Sequence, residues 1–173
     1  MRGRKKATVA QHTNQDRLPL TNMSPLEKRT VELPLAAAFV DVLTEEYDQK
    51  TALEILDRVV KREAQAAAAS SRRSYPELSL NTLYEVWKIL GGDGRLELEL
   101  EELTPRTLKF HITRCRYAEN YRALGLEQLG VSFSCRRDKP FAEALIPGVR
   151  LTQSKTILEG SDRCSFEYIL EEP

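Results

Sequence analysis

Apolar positions along the chain change their spacing as it runs, and each change marks a new kind of element. Pro34 stands where a first helical residue belongs, and Leu35, Phe39, Val42 and Leu43 then recur at helical spacing to about Tyr47. Asp48 can cap a second helix. Its face of Ala52, Leu53, Leu56, Val59, Val60 and Ala64 runs into the Ala66–Ala69 string and breaks between Ser70 and Pro76. Ser79 or Asn81 can cap a third helix, with Leu80, Leu83, Tyr84, Trp87 and Leu90 on one side, and Gly91-Gly92 predicts a left-handed cap at its end. After Gly94 the period becomes two. Leu96, Leu98 and Leu100 alternate with Glu97, Glu99 and Glu101, and beyond Thr104-Pro105-Arg106 a second alternation carries Leu108, Phe110 and Ile112.

Helical spacing then returns. Tyr117, Tyr121 and Leu124 lead to Gly125; Leu126, Leu129 and Phe133 mark the next turns, and Pro140 restarts a short helix through Leu145. Val149 to Leu158 and Cys164 to Leu170, separated by Glu159 to Arg163, predict a second hairpin across its loop. The pattern is that of an α+β domain: a four-stranded antiparallel sheet from two hairpins, with helices before and between them. Helices cover one sheet face. The other, carrying Glu97, Glu99, Lys109, His111 and Thr113, faces solvent, a cleft or a partner subunit, and a homodimer is one arrangement it allows.

With 173 residues the chain supports one domain of ordinary size, set at 34–173, after a disordered basic tail over 1–33. Lys+Arg 26 cancels Asp+Glu 26, but residues 1–30 hold seven basic and two acidic side chains, so the remainder is mildly acidic. The balance argues against a dedicated nucleic-acid surface. The longest apolar run, Leu33 to Leu43, is interrupted by Pro34 and Asp41, which leaves no membrane span. Three cysteines without a CxxC pair give neither a disulfide framework nor a zinc ribbon, and reduced thiols in a cytoplasm are the simplest reading.

The chemistry-bearing residues are few. Glycine-rich phosphate loops, GxSxG and HExxH are all missing, and His12 and His111 are the only histidines, so a catalytic centre has to be built from thiols, carboxyls and hydroxyls. Cys135 and Asp138 are three apart, a spacing that can pair a nucleophile with a proton shuttle; equally, Asp138 can cap the helix restarting at Pro140 while Cys135 packs as a small hydrophobe. Arg136 and Arg137 can offset the carboxylate or hold an anionic substrate. Strand parity puts Cys115 on the face of Lys109, His111 and Thr113, where the next helix's N-terminus would favour thiolate and His111 would act as a base. Cys164 shares the core parity of Phe166 and Tyr168. Spacings of 20 and 29 residues leave a three-cysteine zinc site a weak alternative, and no metal or cofactor is implied.

The ordered elements Cys115-Arg116-Tyr117, Leu124-Gly125, Leu129-Gly130, Cys135-Arg136-Arg137-Asp138 and Gly160 to Phe166 resemble the L-2-amino-thiazoline-4-carboxylic acid hydrolase family over about residues 80–170. That resemblance implies a small-molecule hydrolase opening the ring of 2-amino-thiazoline-4-carboxylate to N-carbamoyl-cysteine. Cys115, Cys135 and Asp138 are the candidate catalytic residues; Arg136, Arg137 and His111 are candidates for substrate binding. The rival reading keeps the fold as a non-catalytic ligand-binding or assembly module. Three thiols around one open pocket would favour the enzyme, and thiols dispersed in a dry core the module.

Overall fold

A computed structural model describes residues 23–171. It contains six helices, α1 (Pro25–Glu46), α2 (Gln49–Arg72), α3 (Leu80–Gly91), α4 (Arg116–Ala123), α5 (Glu127–Phe133) and α6 (Asp138–Leu145), and four strands, β1 (Leu96–Leu103), β2 (Thr107–Cys115), β3 (Val149–Gln153) and β4 (Cys164–Leu170). The strands form one antiparallel sheet in the order β1-β2-β4-β3, so the two hairpins meet through β2 and β4. This is the α+β arrangement that the spacing predicts. Among the described residues no helix is long and apolar enough to cross a membrane.

The first helix begins at Pro25 rather than Pro34, and residues 1–22 of the expected tail lie outside the described residues. The cause is local. Ser24 accepts from the Glu27 N–H while the Glu27 carboxylate accepts from the Ser24 N–H, a reciprocal cap, and Pro25 takes the first helical position. Pro34 then sits inside the helix, tolerable because it and Thr30, whose carbonyl loses a partner, are both exposed. At the end of α3 the left-handed residues are Asp93 (φ 57°) and Gly94 (φ 69°), not Gly91-Gly92. Gly91 serves close approach instead, since a Cβ there would come 3.2 Å from both the Leu96 carbonyl oxygen and Leu98 Cδ1.

One face of the sheet presents Leu108, Phe110, Ile112, Phe166 and Tyr168 to α3 and α6. Phe110 and Phe166 stack at 4.9 Å between ring centroids, and Trp87 of α3 closes on Phe166 at 4.8 Å, which locks helix to sheet. A second cluster, Leu33, Leu56, Val60, Tyr121 and Leu129, joins α1 and α2 to α4 and α5. Gly130 permits that junction: its Cβ would lie 2.5 Å from Tyr121 Cγ. The strand expected to run to Leu158 ends at Gln153, because the backbone turns into a 3-10 segment, Ile157–Glu159, capped by Thr156 and Glu159.

Candidate functional site

Between α1, α3, the sheet and the segment from Ser134 to Phe141 lies an open cavity of about 450 Å³, within the ~300–1,000 Å³ range of small-molecule sites. Its apolar side is made by Leu83, Trp87, Leu90, Ile112, Phe166 and Tyr168. Its polar side carries Cys115, Cys135, Cys164, Asp138, Arg137 and Gln153. All three thiols therefore reach one cavity, although they come from the end of β2, a 3-10 turn and the start of β4. Among the described residues no grouping of His, Cys, Asp or Glu is placed to hold a metal ion.

Cys115 reaches the cavity through a register irregularity. Leu98 pairs with Ile112 and Glu97 with Arg114, so Thr113 is an extra residue that reverses the parity beyond it. Cys115 thus pairs with the buried Leu96 on the core face, not on the open face with His111 as simple alternation predicts. It also caps α4, its Sγ accepting from the Ala118 N–H at 3.4 Å. That contact favours thiolate, yet burial outweighs it and pushes the thiol above its usual value.

Burial raises the other two thiols as well. Cys135 is driven well up, with nearby Asp138 adding to the effect. Cys164, which accepts from the Ile157 N–H at 3.2 Å, is pushed to about 11. All three are protonated at neutral pH. Asp138 does not cap α6, whose N-cap residue is Arg137 with no side-chain bond. Its carboxyl instead borders the cavity, with one long hydrogen bond of 3.5 Å from Gln153 Nε2. Burial lifts it to about 7, against the opposing pull of Arg137, and so into the range where a carboxyl exchanges protons at neutral pH.

The remaining candidates divide. Arg137 lines the cavity, mostly buried, and pairs with Glu63 of α2 at 3.0 Å. Arg136 turns outward and binds Asp57 of α2, a cross-brace outside the lining of this cavity. His111 stays on the open face, its Nδ1 3.0 Å from Ser165 Oγ and its Nε2 3.1 Å from Glu101. This serine-histidine-carboxylate chain lies on flat sheet outside the cavity lining, and the structure does not bring His111 to Cys115.

Sequence reading missed three contributors. Arg29 at the cavity mouth, paired with Glu32 at 2.9 Å, falls within the span that the sequence gives to the tail. Gln153 looked like an ordinary strand residue. Tyr168 does sit in the core, fully buried with its hydroxyl accepting from Trp87 Nε1 at 3.0 Å, and it lines the cavity as well. No spacing signal marks any of them.

Fold and site together define an α+β domain with an open cavity of small-molecule size, lined by both apolar and ionisable side chains. A solved structure of similar fold, with TM-score 0.52, 12% identity and coverage of 79% of this chain and 73% of its own, is the phenol-responsive sensory domain of the transcription activator PoxR with phenol. The model of the L-2-amino-thiazoline-4-carboxylic acid hydrolase family matches residues 27–168, and the chain belongs to that family. No curated protein matches it by sequence.

Proposed function

We propose that the protein hydrolyses a small cyclic amidine that carries a carboxylate, of the kind represented by 2-amino-thiazoline-4-carboxylate. The observation that carries this reading is the convergence of a carboxyl near neutrality, three protonated thiols and a mostly buried arginine on one cavity. The substrate carries opposite charges at its two ends, and the polar wall offers a partner to each. Asp138 faces the amidinium, and Arg137, with Arg29 at the mouth, holds the carboxylate.

Raised thiol values disfavour a resting thiolate nucleophile, so water is the attacking group. Asp138 takes a proton as the water oxygen bonds to the ring carbon between sulfur and nitrogen. The carbon–sulfur bond then breaks and the departing sulfur receives that proton; the ring nitrogen already carries its hydrogen in the amidinium, so the second water proton leaves to solvent as the urea carbonyl forms. Cys115 and Cys135 sit in this site as S–H donors toward the leaving sulfur. Ring opening is followed as thiol release by the full chain. Asp138→Asn should lower kcat by about 10²–10⁴-fold, the usual worth of a general acid–base group, and Cys115→Ser should retain turnover, since a hydroxyl also donates.

The apolar half of the cavity supports a second reading, a ligand-binding module without turnover, which the fold of the phenol-responsive sensory domain makes reasonable. Thermal stabilisation by thiazolines or phenols with no ring opening by the wild type would select it over the hydrolase.

A further inference from the structure

Helix α1 is apolar on two sides, and among the described residues only one of them is packed against the rest of the fold. Leu33 is buried against α2, α4 and α5, while Val31, Pro34, Leu35, Ala38, Phe39 and Val42 form a stripe that faces outward. Exposure is 65% at Val31, 66% at Leu35, 62% at Phe39 and 57% at Val42. These positions recur at three- and four-residue steps along one side of the helix, the pattern of a helix that buries that side against another element. The four largest alone present on the order of 450 Å² of apolar surface, the size of the largest and often functional patch on a monomer and about half of the ~800 Å² per partner that a standard interface covers. Polar residues flanking the stripe can supply the rest.

We propose that two copies of the chain pair through this stripe, with their α1 helices antiparallel about a two-fold axis close to residues 36 and 37. The helix is self-complementary about that point. A register that sets Val31 against Val42 also sets Pro34 against Phe39 and Leu35 against Ala38, so a large side chain meets a small or compact one near the axis. The same register brings exposed Lys28 opposite the exposed Glu45 of the second copy, and each contact occurs twice. A parallel pairing would instead set Glu45 against Glu45. Antiparallel pairing also fixes the helix that supplies Pro25, Lys28, Arg29 and Glu32 to the cavity mouth. The proposal does not depend on which reaction the cavity performs.

Sedimentation velocity of the full chain from about 0.5 to 100 µM is the test, with circular dichroism on every variant. The wild type should move toward twice the 19.7 kDa chain mass. Phe39→Glu and, independently, Leu35→Glu should each weaken self-association by about 100-fold or more while keeping their helix signal. Lys28→Glu should weaken it about 5–10-fold, and adding Glu45→Lys should restore it to within about 3-fold. A wild type that stays monomeric throughout would overturn the proposal and leave the stripe to another part of the chain or to another protein. A dimer insensitive to both Phe39→Glu and Leu35→Glu would place the interface elsewhere. Failure of Glu45→Lys to rescue Lys28→Glu would refute the antiparallel register.

Discussion

Replacing Asp138 by asparagine should stabilise the protein, and by an amount that grows with pH. An aspartate's ordinary value is 3.8, and burial lifts Asp138 to about 7. Between these two values the folded chain keeps a proton that the unfolded chain has released, so the free energy of unfolding falls as pH rises through that window. At ~1.4 kcal/mol per unit, the window amounts to about 4 kcal/mol at most. Because the carboxyl borders an open cavity that water enters, solvation trims the effect to about 2–4 kcal/mol. Asparagine keeps the shape and the reach to Gln153 but carries no charge to bury. Urea unfolding, followed through the fluorescence of the single tryptophan, Trp87, is measured for both proteins between pH 4.5 and 8. Groups common to the two cancel in the difference. The asparagine variant's advantage should grow by about 1–3 kcal/mol across that range, which begins inside the window, and level off above pH 7. An advantage independent of pH would mean that the carboxyl is effectively in water. One that shrinks as pH rises would show that attraction to Arg137 outweighs burial, and either result would remove the basis for Asp138 as a proton acceptor at neutral pH.

The two adjacent arginines should separate cleanly. In assays with 2-amino-thiazoline-4-carboxylate, Arg137→Ala should raise KM by about 10–100-fold, whereas Arg136→Ala should leave KM unchanged and cost about 1 kcal/mol or less in urea unfolding; equal KM effects would contradict the placement of Arg136 on Asp57. Gly130→Ala should lower stability by about 1–3 kcal/mol, visible as a drop in Tm, because its methyl meets the Tyr121 ring. Cys164→Ser keeps an acceptor for the Ile157 N–H and should cost less than Cys164→Val, which strands that donor at about 1–3 kcal/mol; a valine variant as stable as the serine one would deny the hydrogen bond any weight.

Local chemistry alone determined most of the elements. Asp48 and Ser79 cap α2 and α3 as their side chains predict, and the two-residue alternations around Leu98 and Phe110 do become paired strands. These features depend on neighbours within a few residues, which a sequence displays directly. The start of α1 was equally local, written in Ser24 and Glu27, but Pro34 offered a competing start, and nothing in the spacing said that its missing N–H would face solvent. The site was legible only as a list of residue types. Cys115, Cys135 and Asp138 do line one cavity, yet the parity that should have put Cys115 beside His111 was reversed by the extra residue at Thr113. A bulge of that kind is set by how two strands register against each other. Tertiary structure also decided the strand order, the separate fates of Arg136 and Arg137, and the entry of Arg29 and Gln153 into the cavity wall. Each of these follows from packing between segments distant in the chain, and the burial that lifts Asp138 toward neutrality exists only once those segments enclose it.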